Sequence, residues 1–257
     1  MRTNFIKCDF SELDEFISEY KALLLSPMDS FLEDHISESE HFLITIDNNR
    51  AGYFSVHKKE LLTQFYLSKE YRYLGQEIFY KVKKVQYINQ AFVSTGDEFF
   101  LSHALDEYRS IEKQAYFFRD SMKQIKEDKI DKSLSIRVAE HCDIEEIQKN
   151  SGKFFDNLNE SILNEEIYIV SKDNNIVGFG IMERGTIMKE YTSIGMYTLE
   201  AFRQKGIGRN ILLMLKEIAY KKNLKPIAGC WYYNHNSKKT LESAGMHSDT
   251  RLLKIHY

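Results

Sequence analysis

The 257-residue sequence is poor in proline and glycine. It has 2 prolines and 12 glycines, where average usage of about 5% and 7% gives roughly 13 and 18. Glycines this scarce are expected where the backbone needs them, and nine of the twelve follow residue 130. The sequence therefore predicts that any glycine-dependent chemistry belongs to its second half.

Cysteine is also scarce. Cys8, Cys142 and Cys230 are widely separated and form no CxxC pair, so no disulfide framework is predicted. This usage is typical of the reducing cytoplasm. We expect a cytoplasmic protein without a metal site.

Long apolar runs and an excess of positive charge are absent as well. No stretch of about 18 apolar residues occurs, and charged residues rather than an apolar segment follow the first five, so neither a membrane span nor a secretory signal is predicted. The net charge is -3, which argues against nucleic acid as a partner. With 43% hydrophobic and 28% charged residues, the composition is that of a globular domain.

Two segments recur in the same order in both halves. Residues 42–54 and 168–180 each combine an apolar strand, an Asp-Asn-Asn turn and a second strand near a glycine, which predicts hairpins. Residues 71–77 match 202–208 without a gap, and a helical segment follows each. Residues 123–133 are polar and indicate a helix end leading into a linker. We infer a duplication with α/β domains at 1–130 and 131–257.

The second half alternates strands and helices, which predicts a mixed sheet. An apolar 3.6-residue period favours a helix at 209–222. The expected strands are 135–139, 166–170, 176–183, 192–198, 226–231 and 250–256, and the other expected helices are 143–155 and 238–244.

The sharpest chemical feature is the segment Arg203-Gln-Lys-Gly206-Ile-Gly208-Arg209, between a predicted strand and an amphipathic helix. Two glycines remove Cβ atoms where the chain enters the helix, which exposes main-chain N–H groups at the positive end of the helix dipole. Such a turn suits a pyrophosphate, although it is also a common tight-turn device. It lacks the third glycine of a dinucleotide fingerprint and the Gly-Lys-Ser/Thr of a Walker loop.

Flanking residues support a ligand site. Gly195 within a strand predicts a bulge that frees main-chain groups of residues 196–198. Asn234 and Ser237 precede a short helix that ends at Gly245. Helix capping is the simpler explanation for each of these three residues taken singly.

Together these elements resemble the GNAT acyltransferase superfamily across about 120 residues, from Ser135 to the C-terminus. The resemblance rests on the strand followed by Arg-x-x-Gly-x-Gly, on Asn234-x-x-Ser237 and on Gly245-Met246. It implies two tandem domains, each a mixed, mostly antiparallel sheet flanked by helices, and acetyl-CoA as cosubstrate without a metal. The cofactor-binding residues it implies are Met196, Tyr197, Thr198, Arg203, Gln204, Lys205, Gly206, Ile207, Gly208, Arg209, Asn234 and Ser237.

Transfer to an amine needs a neutral nucleophile, because a free lysine has a pKa near 10.4. Glu190 is the first candidate base and Glu183 the second, although both also fit solvated strand ends. Many relatives carry a tyrosine acid where this sequence has Leu241. Tyr233 is therefore the candidate acid, with Tyr232 and His235 as alternatives; Cys230 is expected to be a buried apolar residue.

The first half keeps the framework but changes the turn. Gly75 corresponds to Gly206, but Glu77 replaces Gly208, and Asp97 corresponds to Asn234. Because a carboxylate would repel a pyrophosphate, we predict a degenerate copy that binds no cofactor and helps to shape the acceptor cleft.

The leading hypothesis is an N-acetyltransferase acting on a small-molecule or peptide amine by direct attack in a ternary complex. The alternative is a non-catalytic acyl-CoA sensor or interaction module. An aminoacyl-transferring relative that uses charged tRNA is disfavoured by the acidic balance. The acceptor's identity and the oligomeric state are not encoded in any recognisable pattern.

Overall fold

The computed structural model describes residues 1–85, 87–155 and 157–257. They form two compact units, unit 1 from Met1–Phe117 with Thr250–Tyr257, and unit 2 from Phe118–Asp249. In this described part, no helix is long and apolar enough to cross a membrane.

The division differs from the predicted boundary at residues 130 and 131. Residues 118–130 belong to unit 2, and the last eight residues belong to unit 1. The last eight residues belong to unit 1 because the final strand pairs antiparallel with the strand at residues 90–94. The pairing runs from Leu252 opposite Ser94 to His256 opposite Gln90. Whether 1–130 and 131–257 are separate domains stays a prediction.

Unit 1 contains strands β1 to β5 and helices α1 to α4, and the division between the units falls within β6. Their bounds are β1 Thr3–Cys8, α1 Asp14–Leu23, α2 Ser30–Ser37, β2 Glu40–Ile46, β3 Asn49–His57, β4 Leu61–Leu67, α3 Gly75–Lys84, β5 Gln90–Ser94, α4 Glu98–Ala104 and β6 Ser110–Asp120.

Unit 2 contains the remaining elements, and its division from unit 1 falls within β12. Their bounds are β7 Leu134–Val138, α5 Ile144–Ser151, α6 Leu158–Leu163, β8 Ile167–Lys172, β9 Asn175–Arg184, β10 Tyr191–Thr198, α7 Ile207–Lys221, β11 Lys225–Trp231, α8 His235–Ser243 and β12 Met246–His256.

The two units repeat one sheet plan. In unit 1 the strand order is β1-β2-β3-β4-β5-β12, and only the β4–β5 pair is parallel among these described strands. In unit 2 the order is β7-β8-β9-β10-β11, and the corresponding β10–β11 pair is parallel. A mixed, mostly antiparallel sheet flanked by helices confirms the predicted fold class.

Both predicted hairpins form with two-residue turns. Asp47 and Asn48 join β2 to β3 with φ of 48° and 70°, and Asp173 and Asn174 join β8 to β9 with φ of 49° and 61°. Two positive φ values define a type I′ turn, which Asn and Asp tolerate well and which matches the twist of the strands.

The prediction differs from the structure around α5 and the linker. The predicted helix 143–155 ends at Ser151, because Gly152 adopts a φ of 61°, and the short α6 was not expected. The linker follows β6 rather than a helix end. The expected helix end is therefore wrong. Exposed and buried residues do not alternate along β6, whose first four residues are all exposed, so the segment lacks the two-residue period that indicates a strand.

Helix α7 packs on the unit 2 sheet and positions the site. Its apolar stripe, Ile211, Leu212, Leu215 and Ala219, is completely buried. A Cβ added at Gly180 on β9 would lie 3.0 Å from Leu215 Cδ2. The missing side chain therefore lets the helix approach β9 closely.

Candidate functional site

A cleft of about 820 Å³ opens in unit 2 where β10 and β11 separate. Within the described residues, their parallel pairing extends only from Tyr191/Lys225 to Ser193/Ile227. The following residues, 194–198 and 229–231, line the cleft. Because β10 stays bonded to β9, every second residue of 194–198 directs its N–H and C=O groups toward the cleft. These groups can pair with an extended ligand.

The predicted bulge at Gly195 is wrong. Across the described strands β9 and β10, the register runs without a shift from Thr192/Arg184 to Thr198/Gly178. Divergence of β11, rather than an extra residue, therefore frees the main-chain groups. A Cβ added at Gly195 would come no closer than 3.4 Å to Ile181, which is ordinary van der Waals contact.

The glycine turn before α7 forms one end of the cleft. Gly206 is the N-cap of α7 with φ of 79°, a left-handed conformation that favours glycine. A Cβ added at Gly208 would lie 3.1 Å from Thr240 Cγ2 and 3.2 Å from Thr198 Oγ1. The first N–H groups of a helix have no intrahelical partner, and Gly206 offers no capping side chain. The turn therefore suits a phosphate group.

Cationic side chains surround this turn. Arg203 Nε donates to the carbonyl of Thr198 at 3.2 Å, and Arg209 Nη2 donates to the carbonyl of Lys129 at 2.9 Å. Lys239 on α8 also lines the cleft. Among the described residues, the lining includes no Asp, Glu or His. The resulting positive potential favours an anionic ligand.

Asn210 fixes the position of the glycine turn and was missed by the sequence analysis. Its side chain is 4% exposed and donates through Nδ2 to the carbonyl of Gly206 at 2.9 Å. Its Oδ1 accepts from the N–H of Asp131 at 2.8 Å. A polar residue on the apolar helix face was the one available signal, because buried amides are normally hydrogen-bonded.

The N-terminus of α8 also forms part of the cleft wall. Asn234 is its N-cap, and Asn234 Oδ1 accepts from the N–H of Ser237 at 3.0 Å. Both residues line the cleft. Leu241 also lines it and is 2% exposed, so the position where many relatives carry a tyrosine offers an apolar side chain.

The cleft gathers most of the predicted cofactor residues, although their role stays a prediction. Lys205 does not line it and instead donates from Nζ to the carbonyl of Ala201 at 2.9 Å. The predicted residues that line it are Met196, Tyr197, Thr198, Arg203, Gln204, Gly206, Ile207, Gly208, Arg209, Asn234 and Ser237.

Aromatic residues that the sequence analysis did not select also line the cleft. Phe154 and Trp231 remain 48% and 58% exposed, and the Phe154 ring lies 4.6 Å from that of Tyr197. Exposed aromatic side chains beside a cleft are suited to ligand contact. Phe154 follows the end of α5, and Trp231 is the last residue of β11. Neither position gave a signal in the sequence, because the cleft wall combines residues that are distant in the chain.

The structure does not place Glu190 or Tyr233 in the cleft lining. Glu190 is exposed in the turn before β10, and its carbonyl accepts from the N–H of Lys225. At about 3.3 Å per residue, it lies roughly 20 Å along the strand from Met196. Tyr233 is 53% exposed and packs its ring 5.2 Å from that of Trp231. Their catalytic roles stay predictions, which this geometry does not favour.

Glu183 is closer to the cleft than Glu190. It follows Ile181 by two residues on β9, so both side chains lie on the same face of the sheet. Ile181 lines the cleft, and Glu183 pairs across the sheet with Ser193, directly before the lining residues of β10. On these two strands, Glu183 is therefore adjacent to the lining residues Ile181 and Ile194.

The corresponding turn of unit 1 is closed. A Cβ added at Gly75 would collide with His103 Nε2 and would lie 3.1 Å from Phe99 Cζ. Asp97 caps α4 by accepting from the N–H of Phe100 at 3.0 Å, as Asn234 caps α8. The carboxylate of Glu77 pairs with Lys81 at 2.7 Å. Whether this copy binds a cofactor stays a prediction.

Two family models match the chain, one in each of its halves. A family model described as an acetyltransferase (GNAT) domain matches residues 9–121, and one described as the acetyltransferase (GNAT) family matches residues 134–246. The chain therefore belongs to the GNAT acetyltransferase family and carries two tandem copies of its domain. Among curated proteins, none matches this sequence.

Solved structures share this tandem fold. An acetyltransferase of the GNAT family from Colwellia psychrerythraea aligns over 100% of both chains with a TM-score of 0.87 and 18% identity. A GCN5-related N-acetyltransferase from Sphaerobacter thermophilus aligns over 98% of this chain and 95% of its own, with a TM-score of 0.65 and 11% identity. A tandem GNAT protein from the clavulanic acid biosynthesis pathway aligns over 100% and 98%, with a TM-score of 0.61 and 9% identity.

Proposed function

We propose that unit 2 transfers an acetyl group from acetyl-CoA to an amine by direct attack in a ternary complex. The observation that carries this proposal is the glycine turn at the N-terminus of α7, which meets the cleft between β10 and β11. The proposed acceptor is a small-molecule or peptide amine. A cytoplasmic location is part of the proposal and is supported by the free thiols of Cys8, Cys142 and Cys230.

The residues of the cleft fit acetyl-CoA, which when bound supplies an activated acetyl thioester. Main-chain N–H groups of 204–209 hold the diphosphate, and Arg203 and Arg209 add positive charge. Main-chain groups of Met196 and Thr198 pair with the pantetheine amides. A Cβ at Gly208 would crowd Thr198 Oγ1 and Thr240 Cγ2, two side chains of the cleft wall, so the glycine lets the turn pack closely against them.

Glu183 is the proposed base. The lining itself includes no carboxylate among the described residues, whereas Glu183 lies just beyond it on the face that Ile181 shares. An alkyl ammonium ion must lose a proton before it can attack, and a carboxylate can accept that proton directly or through one water. The amine nitrogen forms the new amide bond as the thioester bond breaks, and the leaving thiolate can take its proton from solvent, so Tyr233 is not required as an acid.

A non-catalytic acyl-CoA sensor is the second candidate. The buried Leu241, where many relatives carry a tyrosine acid, and the absence of a carboxylate from the described lining favour it. It predicts that acetyl-CoA binds while no amine in a broad panel is acetylated.

The proposal is tested by placing at residue 208 the side chain that unit 1 carries at the corresponding position. We expect Gly208→Glu to weaken acetyl-CoA binding at least 100-fold in calorimetry, because the carboxylate would face the diphosphate. Amine-dependent thiol release is expected to disappear with it.

Gly208→Ala is the matched control, because it adds the Cβ without the charge. It is expected to weaken binding less than tenfold, since Thr198 and Thr240 need to move by only a few tenths of an ångström. Unchanged affinity in Gly208→Glu, or no binding of acetyl-CoA by the parent protein, would contradict the proposal.

A further inference from the structure

Unit 1 contains a second cavity, of about 270 Å³, that the proposed acetyl transfer does not use. It lies among α1, β4 and α4. Its lining combines aromatic rings with charged groups, including Tyr20, Phe65, Tyr66, Arg72, Asp97 and Phe99. We call it the unit 1 cavity.

A buried carboxylate forms the polar part of this cavity. Asp97 is 6% exposed, its Oδ1 accepts from the N–H of Phe100 at 3.0 Å, and its Oδ2 accepts from the hydroxyl of Tyr20 at 2.8 Å. An ionised carboxylate has about four acceptor positions, so these two bonds leave acceptor capacity for a further donor. A buried carboxylate with unused acceptor positions is energetically costly unless a cation or a hydrogen-bond donor occupies them.

The polar network behind Asp97 is incompletely satisfied. The hydroxyl of Tyr53 is fully buried and has no hydrogen-bond partner within the described residues. The Tyr53 ring lies 6.3 Å from that of Tyr20 and 5.8 Å from that of Tyr66, both of which line the cavity. Buried polar groups are normally hydrogen-bonded, so a buried hydroxyl without a protein partner beside a cavity favours a polar occupant there.

Flat apolar surfaces form the rest of the wall. Phe65 and Phe99 stack with ring centroids 5.6 Å apart. The Arg72 guanidinium lies 5.1 Å from the centre of the Phe99 ring, and its Nε donates to the carbonyl of Leu67 at 3.4 Å. Arg72 is therefore held by the protein, while the second lining carboxylate, Glu98, is exposed. The lining contains two carboxylates, Asp97 and Glu98, and one guanidinium, that of Arg72. This excess of acidic groups favours a cationic ligand.

The volume sets the size of that ligand. An apolar cavity of about 150 Å³ accommodates benzene, so 270 Å³ has room for one ring with a short chain. The volume of the unit 1 cavity is about one third of that of the unit 2 cleft. It is therefore too small for the coenzyme A molecule that we propose for the unit 2 cleft.

We infer that the unit 1 cavity binds a small primary amine with an aromatic or similarly flat body, whose ammonium group pairs with Asp97. The ring stacks against Phe65 and Phe99, and the ammonium donates to the free acceptor positions of the carboxylate. An ammonium over aromatic rings gains a further cation–π contribution.

The test uses 2-phenylethylamine as the probe, with 2-phenylethanol and 3-phenylpropanoate as neutral and anionic analogues of similar size. Calorimetry with the full-length protein at pH 7.5 is expected to show saturable binding of the amine, at least tenfold tighter than either analogue. Asp97→Asn is expected to weaken amine binding at least tenfold while keeping the cap on α4, because Asn is an equally good N-cap residue.

Ser102→Trp gives a second, independent variant. Ser102 is exposed at the edge of the cavity, so a large side chain there blocks entry without a change in charge. Ser110→Trp, at an exposed position outside the lining, is the matched control and is expected to bind the amine as the parent does.

Titration with acetyl-CoA separates this inference from the proposed function. Asp97→Asn and Ser102→Trp are expected to bind acetyl-CoA like the parent, and Gly208→Glu to bind the amine like the parent. The inference is overturned if the amine does not bind saturably, if an analogue binds equally well, or if Asp97→Asn retains full amine affinity. That last outcome would assign the amine to the unit 2 acceptor region instead.

Discussion

The side-chain oxygen of Asn210 accepts a hydrogen bond from the N–H of Asp131 at 2.8 Å, although 79 residues separate the two in the chain. Asn210 Nδ2 donates to the carbonyls of Gly206 and Lys129 at 2.9 and 3.4 Å. One buried amide thus joins the segment before β7 to the glycine turn. Asn210 is therefore a positioning residue for the proposed diphosphate site.

We expect Asn210→Ala to weaken acetyl-CoA binding about 10-fold and to lower the free energy of unfolding by about 1–3 kcal/mol, because buried polar groups lose their partners. Calorimetry and urea denaturation measure the two effects. Asn210→Asp retains the acceptor for the N–H of Asp131 and is expected to recover part of the stability. Unchanged cofactor affinity in a destabilised Asn210→Ala protein would show that the residue has only a structural role.

Substitutions of the two candidate bases, Glu183 and Glu190, are expected to have effects of different size. Glu183→Gln is expected to lower kcat/KM for the amine roughly 100-fold, the range typical of general-base catalysis. Glu190→Gln serves as the matched control and is expected to change kcat/KM less than threefold, because it lies far from the cleft lining. Steady-state kinetics across pH 6–9 decides between them, and a larger effect at residue 190 would contradict our assignment.

Buried titratable groups of unit 1 give opposite pH dependences of stability. Burial lowers the pKa of His41 to about 4, so its stabilising contribution is present above its ordinary pKa of 6.5 and is lost as pH falls toward 4. Burial raises the pKa of Asp97 to about 6, so its contribution is present below 3.8 and is lost as pH rises through 6. For the almost fully buried Asp97 the effect amounts to about 3 kcal/mol.

Single substitutions separate these two effects. Asp97→Asn is expected to raise stability at pH 7 relative to pH 4.5, and His41→Gln is expected to reduce the loss of stability below pH 6.5. Urea denaturation between pH 4 and 7.5 gives the slopes. A parallel shift of the whole curve in Asp97→Asn, without a change in slope between pH 4 and 6, would exclude titration of that carboxyl group as the cause.

Unit 2 contains a buried ion pair between Lys216 and Asp120, with a separation of 2.8 Å and side chains 10% and 6% exposed. Lys216 Nζ also donates to the carbonyl of Ala244 at 3.0 Å. We expect Lys216→Met to lower the free energy of unfolding by about 3–5 kcal/mol, because it leaves a buried carboxylate without its cation. Lys216→Met combined with Asp120→Asn should recover part of that loss in thermal denaturation, and no recovery would contradict the electrostatic explanation.

Short-range patterns predicted the elements of the fold well. The Asp-Asn turns, the apolar period of α7 and the Gly206 turn depend on residues within a few positions of one another, and each formed where the sequence indicated. The end of α5 at Gly152 and the strand character of β6 were predicted less well. The end of α5 follows a local signal, the φ of 61° at Gly152, which the predicted helix overran. The strand character of β6 depends on pairing with distant strands rather than on local propensity.

The succession of strands and helices along the chain, the two related halves and the glycine-rich entry to α7 were determined by the sequence itself, because hydrophobic period and backbone sterics act over a few residues. The tertiary structure alone decided that β11 diverges from β10 after three paired residues, and that Glu183 rather than Glu190 lies beside the resulting cleft. It also decided that His103 and Phe99 occupy the space next to Gly75. These outcomes depend on contacts between residues tens of positions apart, whose geometry is fixed only when all the side chains pack together.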